Sequence, residues 1–89
     1  MLALEGGPRF FAEGRLITFT LRSRGKAITC AVTRDALERH FLQRRTSDER
    51  TLLSVFERGL KRILEAADKK SRVLRGSRIL LTAHDLGEA

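Results

Sequence analysis

The sequence predicts an α+β domain in which two helices pack on one face of a mostly antiparallel sheet. Apolar residues alternate at every second position over residues 17–21 and again over 28–32, which is the period of strands with one buried face. After Thr33 the apolar spacing changes to every third or fourth residue, the period of a helix. A last apolar run at 78–82 follows the helical part, so the order is strands, helices, strand.

The first half of the chain is expected to form a β-hairpin or a three-stranded meander. Strands over 15–22 and 28–32 are separated by Ser23-Arg24-Gly25, where the glycine is able to adopt a positive φ. An earlier strand over 9–12, followed by a turn, would complete the meander. Residues 1–8 and 87–89 are expected to fray.

The first helix is predicted to run from Arg34 to about Gln43, with Thr33 as its N-cap. Glu38 falls on the polar side of this helix, and Leu42 points away from its apolar side. The predicted buried arc consists of Ala36, Leu37, His40 and Phe41.

The second helix is predicted over about Ser47 to Lys70, with a capping box formed by Thr46 and Glu49. Its apolar arc widens to about half the circumference, more than the roughly 100° needed to cover a sheet. Either the first helix or a second copy of the chain should cover the excess. Gly76 is the expected exit residue, and the nearly continuous apolar run after it predicts a strand inside the sheet.

Composition indicates one folded cytoplasmic domain spanning residues 1–89. The chain has 89 residues, of which 42% are hydrophobic and 33% charged. Cys30 is the single cysteine, which excludes an internal disulfide and fits a small buried side chain in a reducing compartment. The N-terminal residues lack the pattern of a signal peptide, and no apolar run approaches the ~20 residues that span a bilayer. We therefore expect no membrane association.

The junction Ile28–Phe41 resembles the core of DUF1488, a small bacterial family whose members have no assigned function. Residues 53–57 and 79–86 resemble the second helix and closing strand of that family, so the resemblance covers roughly residues 10–87. It implies a stand-alone α+β bacterial domain. Because no catalytic or ligand-binding residues are established in the family, the resemblance implies no site.

The inventory of reactive side chains argues against an enzyme. The chain has two histidines, one cysteine and no tyrosine, which leaves few groups to converge on a metal or a substrate. Cys30 and His40 could approach one another to make a site, and Asp35 or His84 could join them. A core or boundary histidine bonded to the backbone is much more common, so we predict no catalytic residues, no metal and no cofactor.

Basic clusters and small helical residues are the candidate binding features. The formal net charge of +7 attracts polyanions. If the basic clusters share a face, nonspecific nucleic-acid binding follows; if not, they solvate the end of a helix. The clusters consist of Arg22, Arg24 and Lys26 at the hairpin tip and Lys69, Lys70, Arg72, Arg75 and Arg78 near the end of the second helix.

The flank of the second helix offers a different kind of surface. Val55, Gly59 and Ala66 would admit a close neighbour, which is the first helix or a second copy of the chain. The sequence thus favours a non-enzymatic module that binds an unknown protein partner or forms a homo-oligomer. Nucleic-acid binding through the basic clusters is the alternative.

Overall fold

The computed structural model of this chain describes residues 3–42, 45–46, 48–75 and 78–87. Four strands form a single sheet in chain order. The strands are β1 (Ala3–Phe11), β2 (Leu16–Ser23), β3 (Lys26–Thr33) and β4 (Arg78–Leu81). The helical segments are α1 (Arg34–Leu37), which continues as a π-helical turn (Glu38–Leu42), α2 (Glu49–Arg58), α3 (Leu60–Leu74) and a short 3₁₀ turn (His84–Leu86).

The sheet is mostly antiparallel, as predicted, but the last strand lies at its edge. The chain β1-β2-β3 is an antiparallel meander, and β4 pairs parallel to β3 with Cys30 opposite Ile79. The prediction that this strand lies inside the sheet is therefore wrong. Only one side of this strand is enclosed, because Ile79 and Leu81 are buried while Leu80 is 47% exposed.

The first strand begins earlier than the sequence suggested. Residues 3–8, which were expected to fray, belong to β1 and pair with β2, where Leu4 lies opposite Leu21. Two register shifts, between Leu4 and Gly6 and between Gly6 and Arg9, accommodate the glycines and the proline of this stretch. Leu4 packs against the core, which explains why this stretch is ordered.

The core lies between one face of the sheet and the helices, and this confirms the predicted packing. The ring of Phe56 in α2 is fully buried and lies edge-on to the ring of Phe19 in β2, with 5.2 Å between the ring centroids. Buried residues alternate along the strands, so a single face of the sheet is covered. The strand side chains of the core are Ile17, Phe19, Leu21, Ile28, Cys30, Val32, Ile79 and Leu81.

The first helix starts as predicted and then widens. The hydroxyl of Thr33 accepts a hydrogen bond from the backbone N–H of Ala36 at 2.9 Å, which confirms the N-cap. After Leu37 the backbone forms a π-helical turn, which changes the angular position of each later side chain. Consequently Glu38 is buried and Leu42 packs against the core, so both predictions of their exposure are wrong.

The second predicted helix is two segments with a different N-cap. Asp48, rather than Thr46, caps α2, because its carboxylate accepts from the N–H of Arg50 at 3.1 Å. Thr46 instead accepts from the N–H of Asp48. The helical segments are separated at Gly59 and continue to Leu74, beyond the predicted end. The predictions for Gln43, Ser47 and Gly76 concern positions outside the described residues.

Gly59 is where the first helical segment meets the second. A Cβ atom built on Gly59 would lie 2.7 Å from Cζ of Phe41, so the ring occupies the space that any larger residue would need. Phe41 itself is partly buried against the core. The wide apolar arc of the second predicted helix is thus covered by the first helix of the same chain. This was one of the two alternatives that the sequence left open.

A hydrogen-bonded carboxylate holds the C-terminal segment. Asp85 accepts from the N–H of Thr82 at 2.9 Å and from Nζ of Lys70 at 2.8 Å, and Lys70 also donates to the carbonyl of Leu80 at 2.7 Å. Burial by itself would raise the pKa of Asp85, but the hydrogen bonds from Lys70 and Thr82 outweigh it and hold the pKa below its ordinary value. The charged carboxylate therefore stabilises the fold.

The substitution Asp85→Ala should lower the free energy of unfolding by about 2 kcal/mol at neutral pH, since it removes hydrogen bonds to a charged group. Because folding lowers the pKa of Asp85, this contribution is complete above about pH 4 and is lost as the pH falls below it. Urea unfolding of the wild type and of Asp85→Ala at neutral and acidic pH measures the difference between their free energies of unfolding. Asp35→Ala, at an exposed ion pair with Arg39, is the control and should have a smaller effect. An Asp85→Ala deficit that stays constant down to about pH 2 would contradict this account.

The substitution Gly59→Ala should destabilise the protein because the Phe41 ring must move. In a Phe41→Ala background the same substitution should stabilise by up to about 1 kcal/mol, since alanine favours the helix. A double-mutant cycle of urea unfolding free energies measures this change of sign. Equal effects of Gly59→Ala in both backgrounds would show that the Phe41 ring is not the reason why position 59 requires glycine.

Candidate anion-binding cleft

Four basic side chains from distant parts of the sequence line one cleft. The cleft lies between the tip of the β2–β3 hairpin and the last turns of α3, and its volume is about 460 Å³. Arg24 and Lys26 come from the hairpin, and Arg72 and Arg75 come from α3 and the residue after it. The structure therefore answers the question left open by the sequence: part of each basic cluster shares a face.

The two walls of the cleft are joined by a buried hydrogen bond. The Ser23 hydroxyl at the end of β2 donates to Oδ1 of Asp68 in α3 at 2.7 Å. Asp68 also forms an ion pair with Arg72, one helical turn later, at 2.7 Å. The Ser23–Asp68 hydrogen bond is buried and fixes the hairpin tip against the helix, whereas the ion pair lies within α3 and its Arg72 side chain is 57% exposed.

The cleft keeps an excess of positive charge. Asp68 is the one acid among the described residues that line it, and its charge compensates that of Arg72. Arg24, Lys26 and Arg75 form no ion pair within the described part of the chain. Three uncompensated cations thus surround one concave surface, an arrangement that attracts an anionic ligand.

The other predicted basic residues lie elsewhere. Both side-chain nitrogens Nε and Nη2 of Arg22 donate to Glu5 in β1 at 2.9 Å, and these hydrogen bonds raise the pKa of Arg22 and lower that of Glu5. Lys70 is bound to Asp85, and Arg78 is exposed on β4. Lys69 lines a second groove on α3 rather than the cleft.

The predicted self-association residues are mostly interior. Val55 is completely buried, and Gly59 is covered by Phe41, so neither presents a surface to a second copy. That prediction is wrong for these two residues because the first helix fills the space. Ala66 is half-buried and lines the second groove, beside Val73, which is 73% exposed.

Cys30 and His40 have separate structural roles. Cys30 is 1% exposed, and burial raises the pKa of its thiol to about 11, so it remains protonated at neutral pH. Nε2 of His40 lies 2.7 Å from the carbonyl oxygen of Ala83, which confirms the predicted bond to the backbone. Within residues 3–42, 45–46, 48–75 and 78–87, no three potential ligands gather as a metal site.

The buried partners of the cleft were missed by sequence reasoning. Regular helical spacing places Asp68 on the polar side of the second helix, whereas its side chain is buried, and Ser23 was expected in a turn. The spacing of Asp68 and Arg72, four residues apart on a helix, was a readable signal for their ion pair. Nothing local indicates the contact of Asp68 with Ser23, because 45 positions separate the two residues.

The substitution Ser23→Ala should lower the free energy of unfolding by about 2 kcal/mol, since it removes a buried hydrogen bond to a carboxylate. Urea unfolding measures this loss. Ser54→Ala, at an exposed position in α2, is the matched control and should change stability by less than about 0.5 kcal/mol. Equal effects of the two substitutions would mean that the Ser23–Asp68 contact does not hold the walls together.

Comparison with known proteins places the chain in a family. The model of a protein family of unknown function, DUF1488, matches residues 5–81. The fold is similar to the crystal structure of a DUF1488 family protein of unknown function from Shewanella loihica PV-4, with a TM-score of 0.74, 22% sequence identity and 90% of each chain covered. No curated protein matches the chain. Among the described residues, no helix has the length and apolar character needed to cross a membrane. The chain belongs to the DUF1488 family.

Proposed function

We propose that this chain is a cytoplasmic, non-enzymatic module that binds the phosphate backbone of nucleic acids in the cationic cleft. The observation that carries the proposal is the convergence of Arg24, Lys26, Arg72 and Arg75 on one concave surface. Arginine is well suited to phosphate, because its planar fork donates two parallel hydrogen bonds to phosphate oxygens. A net charge of +7 adds long-range attraction to a polyanion.

The lining of the cleft favours contacts with phosphates over contacts with bases. Its described apolar residues are Ala27 and Ile28, and its described lining includes no aromatic side chain on which a base would stack. Phosphate contacts fix position without reading sequence. The proposed binding is therefore salt-sensitive and tolerant of sequence.

Fluorescence anisotropy with labelled polythymidylate tests the proposal. Arg24, Lys26 and Arg75, which form no ion pair with the described residues, predict that the logarithm of the association constant falls with the logarithm of salt concentration with a slope of about −2 on a single strand. Unlabelled polyadenylate should compete as well as polythymidylate does. No binding at low salt, or binding that does not respond to salt, would refute the proposal.

The substitution Asp68→Asn should tighten binding, because it releases the charge of Arg72 while an amide oxygen still accepts from Ser23. We expect the salt slope to become steeper by about 0.7, the value for one additional phosphate contact on a single strand. Asp35→Asn is the control, since it releases Arg39 from an ion pair that also joins residues four positions apart on a helix but is exposed and lies outside the cleft. Equal gains from both substitutions would indicate a general charge effect and not a specific cleft.

Self-association is the second candidate function, and one observation favours it. Val73 and Leu74 are 73% and 58% exposed at the end of α3, and they line the second groove together with Ala66. Large exposed apolar side chains at one place are typical of an interaction surface. Light scattering over a range of concentrations tests this candidate: a dimer that Val73→Asp dissociates supports it, and a monomer throughout refutes it.

A further inference from the structure

Both rims of the cleft end in an arginine whose backbone is left-handed. Arg24 has a φ of 52° and is followed by Gly25 at 77° in the two-residue turn between β2 and β3. Such turns favour asparagine, aspartate or glycine at their first position. Arg75 has a φ of 53° and directly follows the last residue of α3, where glycine is the usual residue. Each arginine therefore occupies a position at which glycine fits the backbone better.

Left-handed backbone by itself does not mark a site in this chain. Ala12 and Glu13 in the β1–β2 turn also have positive φ values, of 54° and 59°, and neither residue lines the cleft. Arg24 and Arg75 differ from them because both line the same cleft and both carry a charge that no ion pair in the described residues compensates. Two separate observations, strain and convergence, therefore coincide at these arginines.

The third arginine of the cleft is held differently. Arg72 has a helical backbone within α3, and its guanidinium is bound by Asp68 at 2.7 Å. It is therefore less available to a ligand than Arg24 or Arg75. Arg24 and Arg75, which form no ion pair with any residue that the structure describes, come from opposite walls, which Ser23 and Asp68 hold together.

We propose that Arg24 and Arg75 are the phosphate-binding pair of the cleft, and that arginine at both positions contributes to binding at the expense of backbone stability. This inference rests on the proposed function and assigns its ligand-contacting residues. A phosphodiester strand lying between the rims receives a guanidinium from each side. Glycine at either position would relieve the backbone and remove the contact.

The substitutions Arg24→Gly and Arg75→Gly, singly and together, test the proposal by two measurements. Each should weaken binding to labelled polythymidylate at least threefold at low salt and make the salt slope shallower by about 0.7. Neither should lower the Tm, and relief of strain should raise it by a few degrees. Loss of binding with gain of stability is a combination that a merely structural arginine would not produce.

Two control variants separate charge from strain. Arg9→Gln removes one exposed positive charge from β1, outside the cleft, and should weaken binding less than either glycine substitution. Ala12→Gly relieves the same type of backbone conformation and should raise the Tm without changing affinity. If Arg9→Gln weakens binding as much as Arg24→Gly does, Arg24 and Arg75 are not a specific phosphate-binding pair.

The remaining outcomes are also decisive. If the wild-type chain does not bind polythymidylate at low salt, the proposed function fails and this assignment fails with it. If the wild type binds with the expected salt slope while both glycine variants bind equally well, the assignment alone is overturned. A fall in Tm for both variants would show that the arginines stabilise the fold. Equal affinity for polyglutamate would indicate carboxylate binding and would also overturn the assignment.

Discussion

The edge-on contact between Phe19 of β2 and Phe56 of α2 is the centre on which the rest of this fold depends. It joins the middle of the sheet to the middle of the helical layer, and both rings are almost completely buried. Burying one such side chain contributes roughly 1.5–3 kcal/mol, a large share of the stability of a small domain. Strands β2, β3 and β4 present alternate residues to the core around this contact, and α2 and α3 bury their apolar sides in the same core.

Short-range patterns determine much of this architecture and made it predictable. The alternation around Phe19 and Cys30 predicts the hairpin, and Thr33 marks the start of the first helix because capping involves residues only three positions apart. The family resemblance leads to the same architecture. Features that depend on contacts between distant segments were predicted poorly. The parallel pairing of β4 with β3 joins residues almost fifty positions apart, and no local pattern of β4 indicates its neighbour or its edge position.

The widened turn after Leu37 shows how one backbone irregularity misleads a periodic analysis. A wheel of 100° per residue places Glu38 in solvent, but the π-helical turn directs it inward, where it accepts from the N–H of Thr46 at 2.8 Å. The same turn brings Leu42 to the core and Phe41 over Gly59. A sequence pattern that assumes regular geometry has no means of locating this turn, so Glu38 and Leu42 were assigned to the wrong sides, while Phe41 packs against the core as predicted.

The sequence indicated the basic residues of the candidate site but not which of them come together. Clusters of positive charge are read directly from the chain, but the clusters do not act as two units: Arg24 and Arg75 converge, whereas Arg22 pairs with Glu5 and Lys70 with Asp85. Pairing partners come from whichever element packs nearby, which is a property of the tertiary structure. The sequence therefore provides the basic residues, and the fold determines which of them remain uncompensated.

The bond from Lys70 to the carbonyl of Leu80 has a consequence for the behaviour of the sheet in concentrated solution. Outermost strands are vulnerable because their unpaired backbone groups can recruit strands from other molecules. On the β4 side an ammonium group already occupies one of those acceptors, and on the β1 side Pro8 and the irregular register make regular ladder extension unfavourable. Both edge strands of the sheet thus carry features that disfavour pairing with strands of other molecules.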